Sequence, residues 1–142
     1  GCNLSFAGLK TAILKITKDF KTEQEKYDLA ASFQKTIEEI LYKKTKIAFN
    51  EFEKLNNNKK KIFVVAGGVA ANKKIRANLK NLSNEEDIKF YVPTLELCTD
   101  NGPMIAWAGF ERYNHKQDTM FNFKPRPRWP LDKKAIFMKG KR

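Results

Sequence analysis

Residues 62–72 read IFVVAGGVAAN, and this stretch decides the fold class of the chain. Its apolar, β-branched beginning predicts a short buried strand, and Gly67-Gly68 predicts a tight turn directly after it. Apolar residues then return at helical spacing, which predicts a helix. These residues are Val69, Ile75, Leu79 and Leu82. A strand, a glycine turn and a helix in this order indicate an α/β layer architecture.

The chain before this unit is predicted to be mainly helical. Residues 8–18 have the spacing of a short amphipathic helix, preceded by a strand end at 4–6. From Thr22 an apolar stripe continues to Ala48, which predicts a long helix with a possible break near Lys44. The polar residues 56–60 interrupt the periodicity and predict a loop.

The chain after this unit is predicted to form a second strand and a further helix. Residues 88–92 alternate as a strand, and Pro93 stops them. A helix is expected from Gly102, with apolar residues on more than one face, as in a helix packed inside a domain. From His115 a polar tail containing several prolines follows. Two or three strands are too few to fix a strand order.

Length and composition indicate one compact domain. The chain has 142 residues, of which 42% are hydrophobic, and no apolar run approaches the roughly 20 residues that span a bilayer. A membrane span is therefore not expected. Cys2 and Cys98 are too few for a disulfide framework, which favours the cytoplasm. The chain starts with Gly1 rather than a methionine, and residues 1–6 lack the features of a signal peptide, so we expect a chain that begins within a longer protein.

The strong positive charge has two explanations. A formal net charge of +12 favours an anionic partner such as nucleic acid, because Lys and Arg neutralise phosphates. The cations are mostly lysine, however, as an AT-rich genome would encode, and they also fit a surface that is simply solvated. Both explanations stay open.

Residues 66–72 are the first candidate site. Glycines after a strand allow close approach of a ligand, and amide donors at a helix N-terminus favour an anion such as a phosphate or an adenylate. Asn72, expected one turn into the helix, has an amide that suits a sugar or a phosphate. The alternative is an ordinary tight turn with a surface asparagine, since Gly67-Gly68 matches no complete phosphate-loop motif.

Residues 98–103, with the sequence CTDNGP, are the second candidate site. Asp100 offers a hard oxygen ligand for a metal, but an acidic residue before a helix is also an ordinary cap. His115 is the single histidine, so a complete metal site is not encoded. Cys98 has no histidine at a catalytic offset, which favours a buried thiol over a nucleophile.

Several basic residues, and one tryptophan beside them, have two interpretations that the sequence does not separate. They are phosphate contacts, or they belong to a solvated helix face and a packed tail. These residues are Lys73, Lys74 and Arg76, together with Arg126, Arg128 and, as a stacking residue, Trp129.

Taken together, five blocks resemble one family, TsaD (formerly Gcp), the bacterial tRNA N6-adenosine threonylcarbamoyltransferases. The blocks occur in the family's order across nearly the whole chain. They are residues 4–12, 30–34, 66–72, 98–108 and 125–132.

The resemblance implies an actin-like (ASKHA, sugar-kinase-like) fold with two lobes. Residues 1–132 would form the C-terminal lobe, a mixed sheet flanked by helices, and residues 133–142 a basic tail. The family's iron is bound by two histidines of a His-x-x-x-His helix in the first lobe and by the aspartate that corresponds to Asp100. Asn72 corresponds to the family's adenylate contact, and Gly67 and Gly68 would line the same pocket.

The implied reaction transfers threonylcarbamoyl from threonylcarbamoyl-AMP to N6 of the adenosine 3′ of the anticodon of tRNA. The implied partners are a paralogous TsaB-like subunit and a small TsaE-like ATPase. This chain alone is expected to be inactive, because the first lobe carries the histidines. Two alternatives are a non-catalytic basic RNA-binding module and the nucleotide lobe of a related actin-like kinase.

Overall fold

The computed structural model describes residues 1–56, 60–117 and 124, and divides the chain into two units, Gly1–Asn101 and Gly102–Arg142. The first unit contains α1 (Ala7–Ile16), α2 (Glu23–Leu55), β1 (Ile62–Val64), α3 (Lys73–Glu85) and β2 (Lys89–Tyr91). The second contains α4 (Gly102–Asn114). Short 3-10 turns occupy Thr17–Asp19, Gly68–Ala71 and Leu95–Leu97.

A capping box starts the long helix α2. The Thr22 hydroxyl accepts a hydrogen bond from the Glu25 backbone N–H at 3.3 Å, and the Glu25 carboxylate accepts one from the Thr22 N–H at 2.9 Å. Backbone N–H groups of Lys21 and Thr22 lower the pKa of Glu25. The helix continues to Leu55, so the break predicted near Lys44 is wrong. No glycine or proline lies there to interrupt the hydrogen-bond ladder.

Two polar contacts join α2 to the end of α3. The Tyr42 hydroxyl donates to the Glu85 carboxylate at 2.8 Å, and the Lys46 ammonium lies 3.0 Å from Glu86. The hydrogen bond to Glu85 raises the pKa of Tyr42, and the hydrogen bond to Glu86 raises the pKa of Lys46. These contacts hold the C-terminal end of α3 against α2.

The two strands pair in parallel, with Ile62 opposite Lys89 and Val64 opposite Tyr91. Helix α3 connects them, so β1, α3 and β2 form a βαβ unit. This confirms the α/β class. The expected mixed sheet is corrected for the residues described, where the sheet has two parallel strands.

Strand β1 is buried on one face, whereas the sequence predicted a buried strand. Ile62 and Val64 are 50% and 61% exposed, and Phe63 between them points inward. Its ring packs edge-on against Phe49 of α2 at 5.0 Å and lies 5.8 Å from Phe90 of β2. Three phenylalanines thus join the sheet to α2, because side chains alternate between the faces of a strand.

The buried core of the first unit surrounds α3. Its apolar members are Ala70, Ile75, Leu79, Leu82, Ile88 and Cys98. Ser83 is also fully buried, and its hydroxyl donates to the carbonyl of Leu79 at 2.8 Å, which satisfies the polar group. Ile75, Leu79 and Leu82 of the predicted stripe therefore do form the inner face of α3, whereas Val69 lies in the 3-10 turn before the helix and is 62% exposed.

Two other predictions need correction. Residues 4–6 have no regular structure, so the strand end expected there is wrong: this short segment has no partner strand among the described residues, and without one it cannot form a ladder. Helix α4 has no buried residue, although its pattern predicted a packed helix; Trp107 is 65% exposed, and its ring lies tilted against that of Phe110, with the centroids 5.8 Å apart.

None of the helices described is both long and apolar enough to cross a membrane. The resembling block 125–132, the tail 133–142 and the three predicted tail contacts lie outside the described residues.

Candidate functional site

The glycine turn after β1 has a backbone that requires glycine at one of its two positions. Gly67 has φ 89° and ψ 176°, a conformation that side-chain-bearing residues rarely adopt. Gly68 has no such requirement, and a Cβ added there would meet nothing within 4 Å. Gly67 is thus needed for the turn, whereas Gly68 leaves open space.

We expect this pair of glycines to respond differently to alanine. Gly67→Ala should lower the free energy of unfolding by about 1–3 kcal/mol, because it forces a Cβ into the strained region. Gly68→Ala should change it by less than about 0.5 kcal/mol. Urea unfolding of both variants measures the difference, and equal losses would contradict the backbone argument.

Asn72 is the N-cap of α3. Its Oδ1 accepts hydrogen bonds from the backbone N–H groups of Lys74 at 3.0 Å and Ile75 at 3.2 Å. The sequence placed Asn72 one turn inside the helix, and this is corrected: the 3-10 turn Gly68–Ala71 is separate from α3. The cap also occupies two of the first-turn amides that were expected to hold an anion.

The Asn72 amide group therefore has two halves with different uses. Its oxygen is committed to the cap, and within the described part of the chain its Nδ2 makes no hydrogen bond. An amide nitrogen can donate two hydrogen bonds. Asn72 can thus bind a ligand through Nδ2 while it holds the helix start through Oδ1.

Asn72 and Gly68 line one open pocket of about 720 Å³. Val69 and Ile75 continue that wall, and the opposite wall consists of apolar and amide side chains, mainly from α2. The residues of this opposite wall are Phe6, which precedes α1, and from α2 Ala30, Phe33, Gln34, Ile37 and Leu41. Gly67 does not line this pocket. An apolar pocket with a few polar groups at one side suits a flat organic ring that carries a polar group.

A second pocket, of about 440 Å³, lies beside α1 and is lined by Phe6, Lys10 and Phe33 among others. None of the predicted site residues contributes to it. The larger pocket is therefore the better candidate, since it contains two of them.

Asp100 lies in the loop after the 3-10 turn Leu95–Leu97. Its carboxylate is exposed and makes no hydrogen bond or ion pair within the described ranges. The preceding Cys98 is 1% exposed, which confirms the buried thiol. On the other side of Asp100, Asn101 Nδ2 donates to the carbonyl of Thr99 at 2.8 Å and braces the loop around Asp100.

Arg76 lies between the two candidate segments. Its Nε donates to the carbonyl of Ala70 at 2.9 Å, and its Nη2 donates to the Cys98 sulfur at 3.3 Å. The turn that includes Gly68 and the loop that includes Asp100 are therefore attached to one side chain. Asp100 itself does not line the pocket of Asn72.

Among residues 1–56, 60–117 and 124, no three His, Cys, Asp or Glu side chains come together in a group able to hold a metal ion. Asp100 can supply one hard oxygen ligand, and further ligands would have to come from elsewhere.

Comparison with known proteins decides the family. The profile of TsaD, described as tRNA N6-adenosine threonylcarbamoyltransferase, matches residues 1–107. The chain belongs to the TsaD family. The resemblance drawn from the sequence blocks is confirmed. The actin-like fold expected for the chain is the fold of this family.

Three relatives show how much of a TsaD protein this chain covers. Each is named tRNA N6-adenosine threonylcarbamoyltransferase. The protein from Pelagibacter ubique is 64% identical over 140 residues, which are 99% of this chain and 39% of the relative. The one from Rickettsia rickettsii is 46% identical over 92% of this chain and 39% of its own length. The one from Rhodospirillum rubrum is 42% identical over 95% and 38%. The chain thus spans about two fifths of these relatives.

Sequence reasoning missed two parts of the candidate site. Arg76 had been left between a phosphate contact and a solvated face, and nothing in the sequence indicated that it bonds Ala70 and Cys98. The α2 wall of the pocket was also missed, although the apolar stripe of α2 gave a signal: an exposed part of that stripe, at Phe33, faces the glycine turn.

Proposed function

We propose that this chain is the second lobe of a two-lobed, actin-like tRNA N6-adenosine threonylcarbamoyltransferase. The observation that carries the proposal is the family match over residues 1–107. The relatives that bear this name also align with nearly the whole chain. In the proposal, residues 1–132 form the lobe and residues 133–142 a basic tail, and the complete protein works in the cytoplasm.

The adenylate of threonylcarbamoyl-AMP is assigned to the pocket beside Asn72. The apolar α2 wall suits the adenine ring, and the free Nδ2 of Asn72 suits a ribose or phosphate oxygen. Gly68 leaves room for close approach, and Gly67 holds the turn that presents Gly68. The two interpretations of residues 66–72, a ligand site and an ordinary turn, are therefore compatible in this proposal: Asn72 caps the helix through Oδ1 and binds the ligand through Nδ2.

Asp100 is assigned as a metal ligand. An exposed carboxylate on a braced loop, without a competing cation among the described residues, fits a divalent metal such as iron. By the family resemblance, the remaining ligands are the two histidines of the first lobe. When bound, the metal would supply electrostatic stabilisation of oxygen atoms on the substrate.

The reaction joins the carbamoyl carbon to N6 of the adenosine 3′ of the anticodon. The bond from that carbon to the phosphate oxygen breaks, AMP leaves, and one proton leaves N6. The chain's own contribution is to hold the adenylate in place, so catalysis depends on positioning. The net charge of +12 suits the tRNA phosphates. A TsaB-like subunit and a TsaE-like ATPase complete the proposed assembly.

A chimera tests this function. The chain replaces the matching 39% of the Pelagibacter protein, and the chimera is produced in a bacterium depleted of its own transferase. We expect threonylcarbamoyladenosine to return in digested tRNA, measured by mass spectrometry. The chain alone should not restore it.

A stable chimera that leaves tRNA unmodified would contradict the proposal. Binding of tRNA without modification would favour the RNA-binding module. Phosphoryl transfer from ATP to a small acceptor would favour the kinase lobe. The family match supports neither alternative.

A further inference from the structure

The guanidinium of Arg76 makes two hydrogen bonds in different directions, and both lead to buried residues. Nε reaches the carbonyl of Ala70, and Nη2 reaches the sulfur of Cys98, at 2.9 and 3.3 Å. Ala70 is 0% exposed and Cys98 is 1% exposed. One planar group therefore spans from the glycine turn to the loop of Asp100.

Each of the two segments is also braced within itself. In the turn, the Ala70 N–H donates to the Gly67 carbonyl at 3.0 Å, and the Asn72 N–H donates to the Val69 carbonyl at 3.1 Å. In the loop, the Cys98 N–H donates to the Leu95 carbonyl at 3.1 Å, and across Asp100 the Asn101 Nδ2 donates to the Thr99 carbonyl at 2.8 Å. A displacement at Ala70 or Cys98 is thus carried by the whole segment, including Asn72 in one case and Asp100 in the other.

The fork of an arginine suits this connection better than a lysine would. Guanidinium nitrogens are held in one rigid plane, so two acceptors bound by different nitrogens are held at a fixed separation. A lysine ammonium is a single point on a flexible stem. A lysine could bond one segment but would leave the distance between the two segments unset.

We propose that Arg76 is a positioning residue that couples the adenylate-binding turn to the metal-ligand loop. It acts through Ala70 and Cys98 and sets the separation between Asn72 and Asp100. Binding at either segment then changes affinity at the other by the same factor. The identities of the two ligands rest on the proposed function, whereas the mechanical link rests on the two hydrogen bonds.

The first experiment uses the chimera and separates kcat from KM. Arg76→Gln should lower kcat roughly 10- to 100-fold with KM for tRNA unchanged. A misplacement of the bound groups by about 1 Å lowers a reaction rate by up to about 100-fold. Arg76→Lys keeps the charge but should not restore the rate. Lys80→Gln removes the same charge one turn along α3 and should leave kcat unchanged.

Two results would overturn the proposal: a kcat for Arg76→Gln as high as for Lys80→Gln, or a full rate for Arg76→Lys. Should Arg76→Gln fail to fold, Arg76→Lys against Lys80→Arg decides. An inactive unsubstituted chimera refutes the proposed function instead, and the second experiment then still decides the link.

The second experiment needs no activity and uses the chain of 142 residues. Cys98→Ala is introduced with Arg76 present and with Arg76→Gln, and the backbone amide NMR shifts of Ala70 and Asn72 are compared. We expect Cys98→Ala to move these signals only when Arg76 is present. Equal movements in both backgrounds would show that the two segments do not communicate through Arg76.

Discussion

Asp100→Ala should lower threonylcarbamoyl transfer by the chimera roughly 100-fold or more, with folding stability nearly unchanged. Removing an outer partner of a metal ligand already costs about 10- to 100-fold, so loss of a ligand itself should cost at least as much. The carboxylate is exposed and supports no described hydrogen bond, so we expect the unfolding free energy to change by less than about 0.5 kcal/mol.

The measurement is the rate of threonylcarbamoyladenosine formation together with metal content and tRNA affinity. Glu96→Ala is the matched control, since it removes an exposed carboxylate from the turn Leu95–Leu97 just before the loop. Asp100→Ala should lose metal and keep tRNA binding, whereas Glu96→Ala should keep both. Full activity and metal content in Asp100→Ala would refute the assignment of Asp100.

Asn72→Asp should separate the two functions of this side chain. An aspartate oxygen still accepts from the N–H groups of Lys74 and Ile75, and negative charge is favourable at a helix start, so stability should be kept. The donor Nδ2 is lost and a charge that repels phosphate replaces it. Affinity for AMP should fall about tenfold or more, as for the loss of a hydrogen bond to a charged group.

Calorimetric titration of AMP into the chimera measures this affinity, and urea unfolding measures the stability. Asn72→Ala is the companion variant, because it removes both functions and should also cost about 1 kcal/mol of stability through the lost cap. If Asn72→Asp binds AMP as tightly as the unsubstituted protein, Asn72 is a cap and nothing more.

Local patterns in the sequence were enough to predict most elements of the first unit. The spacing of Ile75, Leu79 and Leu82 identified the buried face of α3, and the β-branched run before Gly67 located β1. Such patterns report only which face of an element is apolar. They overestimated burial at Ile62 and Val64, because the extent of burial depends on what covers each face.

The candidate site was predictable as residues but not as an arrangement. Gly68, Asn72 and Asp100 were identified from sequence blocks, and the structure places the first two on one pocket. The cap formed by Asn72 depends on where α3 begins, and the separate 3-10 turn before it left no clear signal. The bonds of Arg76 to Ala70 and Cys98 join residues 6 and 22 positions away, beyond any local rule.

The pairing of β1 with β2 alone has a practical consequence for anyone handling this chain in solution. Within the described residues each strand leaves one side of its backbone without a ladder partner, and Ile62, Val64 and Tyr91 are half-exposed or more. Exposed edge strands of this kind pair with strands from other molecules. Concentrated samples should therefore self-associate, and dilute preparations with light scattering as a check are the suitable starting point for binding work.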